Sequence, residues 1–402
     1  MKSLCLFLSF VFSFVLMAQD IYVDFAMSDK KGRSNPGTKT MPTNFETALK
    51  RAKSGDTICI LPADKMLYGS LAVQDKSGIT IDGMNNIFTG SKPVAARDWK
   101  EVTPGLFKKE AKNVPNFIER IYFIHNDRAV RMGRFTKGGK MKPFKAVDDL
   151  QPGEWTVVDA SPDVQAKNNV KKRYDYYIRL GEGETDLKNW QEPVMQDGVR
   201  VRGNCTDIKF KNIIVTHFKN DGFNIHGDCK NIAFENVAAV ECGDDGISAH
   251  KGCTITVKNF VGLRNSTGIC HIQNVQSTHD NVYLEGNLGT DFFMMPNASG
   301  KLTNACGFIG ARNGIRIASG GKVEMANCTF VGRGKRARIL FSGKKLGTYT
   351  FKNVTVNGFN IIDKRFTGIT KDSDAAKCEK AVMDKKAELF ALFSGNLEKI
   401  SE

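Results

Sequence analysis

Proline is sparse in this chain, 11 of 402 residues against 38 glycines, which excludes a collagen-like or proline-rich low-complexity polymer. Acidic residues are outnumbered: 43 Asp and Glu face 58 Lys and Arg, a formal net charge of +15. Tryptophan is limited to Trp99, Trp155 and Trp190. After Met17 no apolar run approaches the roughly 20 residues of a spanning helix, so a multispan membrane protein is excluded and no integral membrane segment is expected. A hydrophobic fraction of 41% still supplies a substantial core and argues against disorder.

Met1-Lys2, the apolar run Leu4 to Met17 and the small-residue exit at Ala18 read as a signal peptide over residues 1–18. A secreted or periplasmic protein is expected. Its positive charge favours an anionic partner, and outside the cytoplasm that is an acidic polysaccharide rather than nucleic acid. The chain is expected to act as a monomer. Nine cysteines follow the leader, and an odd number argues against a fully paired disulfide framework.

From Gly198 the sequence repeats every 24 residues. Cys205, Cys229 and Cys253 share one register, as do Val199, Phe223 and Ile247. Phe210 matches Phe234, and Asn212 matches Asn236, with Asn259 one residue early. Looser blocks begin at Gly268, Asp291, Gly314 and Ala337. Such a period, with short alternating strands and Gly, Asn or Asp at the corners, is a solenoid pattern. The L-x-x-L-x-L pattern of leucine-rich repeats is absent, leaving an all-β, single-stranded right-handed parallel β-helix. Equivalent residues then form ladders about 4.8 Å apart. The cysteines become a buried thiol stack, because adjacent parallel strands rarely meet disulfide geometry.

The expected organisation is a signal peptide at 1–18, an N-terminal cap and first coils at 19–96, an inserted β-rich subdomain at 97–197, the main β-helix at 198–360 and a tail at 361–402. A short helix is predicted over 44–53. A second is predicted from Ala375, where Ala381, Met383, Ala387, Phe390 and Leu397 suggest a helix capping the open edge of the solenoid.

Chemistry concentrates at two corners, Lys219-Asn220-Asp221-Gly222-Phe223 and Gly243-Asp244-Asp245-Gly246-Ile247. The register stacks Asp221 under Asp245, with Asp244 above Asn220. Carboxylates this close repel, which is expected to raise the pKa of at least one. One protonated and one ionised carboxyl are the minimum apparatus for glycosidic hydrolysis. The same residue types also make ordinary turns, and a calcium ion would accept clustered carboxylates. Arg202, His226 and His250 share a register pointing outward, near Asn224 and Lys251. With Arg264 they are candidates for binding a sugar or its carboxylate, the alternative being a solvated polar ladder. Two stacked imidazoles lack a third ligand for a transition metal. Strict register turns His271 inward and a one-residue slip exposes it; it is counted among the candidate substrate-binding residues.

The stretch SNPGTKTMPTNFETALKRAKSGDTICILPA, with NDRAVRMGRF, GEWTVVDA and YDYYIRLGEGE, resembles secreted pectin lyase-like β-helix proteins, which include polysaccharide lyases and glycoside hydrolases. The two corners and Asn313-Gly314-Ile315-Arg316-Ile317-Ala318 are similar to the N-T-D-G-F, G-D-D-C and N-G-V-R-I-K motifs of the polygalacturonase family. That resemblance implies Asp244 as general acid, with Asp221 and Asp245 positioning the attacking water. Ser266-Thr267-Gly268 stands where the family has G-H-G, Ala318 where it has lysine, and an extra coil precedes Arg316. The expected function is a secreted carbohydrate-active enzyme cleaving an acidic polysaccharide, a glycoside hydrolase without cofactor. The alternatives are a polysaccharide lyase, with calcium as cofactor, and a non-catalytic glycan-binding protein.

Overall fold

The computed structural model describes residues 18–27, 32–111, 121–133, 144–160, 173–310, 314–318, 320–333, 337–343 and 347–401. The leader, apart from Ala18, lies outside them, as does Asn313. Two parallel sheets wind together into a β-helix of about 11 turns. The short strands Leu71–Gln74, Val199–Gly203, Phe223–Gly227, Asp245–Ala249, Thr267–His271, Thr290–Met294, Ile315–Ala318 and Arg338–Ser342 stack in one sheet. The other carries long strands, among them Thr80–Thr89, Lys209–Thr216, Ile232–Val240, Thr254–Leu263, Gln276–Glu285, Ser299–Ile309 and Lys322–Gly332.

The predicted ladders are present. Val199 faces Phe223, and Phe223 faces Ile247. Ile232 faces Ile255, so the coil shortens by one residue in the turn after Cys253, which accounts for the early Asn259. Each long strand bends at an asparagine in left-handed conformation: Asn212, Asn236, Asn259 and Asn281 have φ of 55°, 53°, 58° and 58°. Asparagine tolerates this region because its short amide bonds locally. Here it also bonds between rungs, Asn236 to Asn212 at 3.0 Å, Asn259 to Asn236 at 2.7 Å and Asn281 to Asn259 at 2.8 Å. Inside, Phe210 stacks on Phe234 with centroids 5.3 Å apart. Cys205, Cys229 and Cys253 are buried free thiols, donating to the carbonyls of Arg202, Gly203 and Gly227.

Between Thr89 and Val199 the chain leaves the solenoid. Strands between Ser91 and Pro193 form two four-stranded antiparallel sheets around Trp99, Phe123, Trp155 and Trp190. This unit is tied to a solenoid corner: the Tyr122 hydroxyl lies 2.9 Å from the carbonyl oxygens of both Phe218 and Glu241, and Arg131 donates to the Cys242 carbonyl at 2.7 Å.

Helix α1 (Phe45–Arg51) starts at Asn44, whose side chain accepts the Thr47 N–H at 2.9 Å. Its Ala48 packs with Ile21 and Val23 at the N-terminal end of the core. Helix α2 (Ala375–Ala391) forms where predicted but does not cap the solenoid's open edge. It lies along the outer face of the long strands, where Cys378, Val382, Leu389 and Phe390 pack against Ile214, Val240, Val261 and Tyr283. Met383, expected on its apolar face, is 49% exposed. The second halves of the long strands are apolar on both faces, and this outer surface is what the helix removes from water.

Candidate active site

Turn geometry places the acids. Each corner brings the chain onto a short strand, and consecutive corners stack. The Asp245 N–H donates to Asp221 Oδ1 at 3.0 Å, and Asn224, at the outward position of the next strand, donates its amide to Asp221 Oδ2 at 2.6 Å. One carboxylate oxygen each from Asp221, Asp244 and Asp245 lie within 4.8 Å of one another. All three residues are buried. The winding therefore assembles acids 24 residues apart into one cluster, with oxygen donors suited to holding a hard cation or to exchanging protons.

On the outward face beside them, the His226 and His250 rings stand 5.1 Å apart, centroid to centroid. His226 lies two residues beyond Asn224, about 7 Å along the strand. Partial burial, then the charges of Lys251 and Arg202, hold its pKa below the ordinary imidazole value. His250 Nε2 is 3.1 Å from the Ser248 hydroxyl. Arg202, half-exposed, reaches within 3.9 Å of Asp197. Arg202, Asn224, His226, His250 and Lys251 thus share one region with the acids.

Two expected members do not. His271 faces Ala249 and Met294 in register and is fully buried inside the coil. No slip exposes it, because its column is the inward one of Ile225 and Ala249. Its Nδ1 accepts the Ala249 N–H at 3.1 Å, and its Nε2 lies 2.8 Å from Nε2 of buried His279. Arg264 is likewise committed elsewhere. It sits one rung above Glu241 at the preceding corner, where its Nε donates to the Glu241 carboxylate at 2.7 Å and its terminal nitrogens donate to the carbonyls of Ile400 and Ser401.

Arg316 follows Phe293 in register, which follows Cys270 and Ser248, so it stands three rungs from the His250 strand. That is about 14 Å. Its guanidinium covers the Phe293 ring at 4.7 Å and donates to Ser342.

No protein-family model and no curated protein sequence matches the chain. Solved structures do. XylC in complex with xylose superposes with a TM-score of 0.54 at 11% identity, covering 88% of this chain and 70% of XylC. The shared fold is a parallel β-helix. A glycoside hydrolase (TM-score 0.40, 9% identity, 88% of this chain and 99% of that one) and a polygalacturonase from Erwinia carotovora ssp. carotovora (0.37, 10%, 89% and 93%) also match.

On this β-helix the sequence reading omitted Asp197, which the structure adds to the acid column. Its Oδ1 accepts the Asp221 N–H at 3.4 Å and the Asn220 amide at 2.9 Å, repeating one rung lower what Asp221 does for Asp245. Burial raises the Asp197 pKa, against the opposing effect of those hydrogen bonds and of Arg202 and Arg200. The signal was present: Asp197-Gly198 lies 24 residues before Asp221-Gly222. Glu241 was also overlooked. Its buried carboxylate receives Arg264, Arg128 at 3.2 Å, His217 at 3.2 Å and the Ala129 N–H at 2.7 Å; against the effect of burial, His217 and then Arg264 hold its pKa far below the carboxylate range. It joins solenoid, inserted sheets and C-terminal tail three residues before Asp244.

Proposed function

We propose that this protein is an exported carbohydrate-active enzyme, a glycoside hydrolase that cleaves an acidic polysaccharide. The observation that carries the reading is the convergence of Asp221, Asp244 and Asp245 within 4.8 Å beside an outward row of imidazole and guanidinium groups. Asp244 gives its proton to the glycosidic oxygen as the bond to the anomeric carbon breaks. A water adds to that carbon, and its proton passes to the Asp221–Asp245 pair. Asp221 already accepts two N–H groups, which suits an acceptor better than a donor. Arg202, His226, His250 and Lys251 bind the substrate, the cations facing its negative charge. The XylC likeness supports the scaffold, not the substrate, because one fold hosts many chemistries.

The test is reducing-end release from a panel of uronic and sulfated glycans. Asp244→Asn is expected to abolish release while the melting temperature stays within a few degrees; unchanged release overturns the hydrolase reading. A second reading rests on the same three carboxylates as a cation site: a calcium-assisted lyase. Products absorbing in the near ultraviolet, formed only without chelator, would replace hydrolysis with that elimination.

A further inference from the structure

A groove of about 590 Å³ lies on a different face from the acids, at the start of the long strands. Thr256, Thr278, Lys301 and Glu324 form one outward column across four rungs. Thr254, Gln276 and Ser299 form the column beside it. The four rungs span about 14 Å. Between this groove and the acid cluster the chain runs through the strand Asp245–Ala249 and the turn carrying His250 and Lys251.

The lining decides the ligand class. It is made of hydroxyls, the amides of Asn231 and Gln276, and charged heads; Ile255 is buried beneath it and no aromatic side chain contributes. A docking helix or apolar peptide would need hydrophobic anchors, and a single-stranded nucleic acid would need stacking platforms. Lys322 is paired with Glu324 at 3.0 Å at the far end, so Lys301 carries the excess positive charge. The first two rungs carry the short side chains Thr254, Thr256 and Thr278, and the charged side chains stand on the last two. Hydrogen-bonding groups repeated at each rung match a chain that presents hydroxyls at regular intervals.

We infer that this face is a second, non-catalytic groove that binds an extended glycan strand along the solenoid axis, with Lys301 favouring acidic chains. The inference does not depend on the hydrolase reading. The experiment is affinity electrophoresis of the full chain in gels containing soluble polygalacturonate or neutral xylan. Arg202→Ala with His226→Ala serves as background to weaken the acid-side face. This background should still be retarded. Adding Thr256→Glu with Thr278→Glu, both exposed on the outward face, should raise the dissociation constant at least tenfold for both glycans at an unchanged melting temperature. Lys301→Ala should weaken polygalacturonate binding and leave xylan binding as it was. The inference is overturned if the background runs free of both glycans, if the two glutamates change nothing, or if Lys301→Ala weakens both equally. Reducing-end assays run separately, so absence of hydrolysis leaves this result readable.

Discussion

The buried pair His271–His279 should make the fold sensitive to mild acid. Ala249 N–H occupies His271 Nδ1, so the His271 proton sits on Nε2 and points to His279 Nε2. His279 must then carry its proton on Nδ1, which has no partner among the described residues. Protonating either ring sets one N–H against another inside an apolar core. Burial drives His279 down to about 3, and burial with the charges of His279 and His250 drives His271 well below the usual imidazole value.

Both rings are neutral when folded and free to protonate near pH 6.5 when unfolded, so stability is full above 6.5 and falls as pH drops toward the folded values. For His279 the slope approaches about 1.4 kcal/mol per pH unit below 6.5, which integrates to about 1.7 kcal/mol between pH 6.5 and 5. His271, also held well below the usual imidazole value by burial, adds to this loss in the same direction. The perturbation is His271→Met with His279→Leu, copying the residues one rung on in the same columns, Met294 and Leu302. Urea unfolding midpoints at pH 7, 6.5, 6 and 5, converted with a common slope, give the difference. The wild type should lose at least about 1.7 kcal/mol more than the variant between pH 6.5 and 5, the part that His279 alone supplies. Parallel curves would refute the reasoning.

Asp291 should act with the opposite sign: fully buried, with Asn287 donating to its Oδ1 at 2.8 Å, it is raised to about 7. Its folded pKa exceeds the unfolded one, so its contribution is full below about 3.8 and lost as pH rises through 7; relative to Asp291→Asn the wild type should gain about 3 kcal/mol on acidification from pH 7 to 4, read in the same urea series. Glu241→Ala strands Arg264, Arg128 and His217 and should cost about 3 kcal/mol in urea unfolding at pH 7. A loss below about 1 kcal/mol would show that this junction does not hold the three parts together.

The coil itself was legible in the residues. Cys205, Cys229 and Cys253 mark the period, and the asparagines mark the bends, because each requirement is local and recurs at every turn. Stacking of Asp221 and Asp245 followed from the period alone, since a parallel ladder converts equal spacing into contact. The apolar runs Ile213-Ile214-Val215 and Val237-Ala238-Ala239-Val240 carried a further message, that both faces of those strands are covered, but not by what. Only the folded chain could show that α2 lies there, because the partner surface is assembled from many rungs and has no counterpart in any short segment. The same holds for Arg264, a candidate for glycan binding that the folded chain commits instead to Glu241 and the tail carbonyls. Periodicity determines which residues align along the axis; what lies against each face depends on contacts between distant segments, which tertiary packing alone decides.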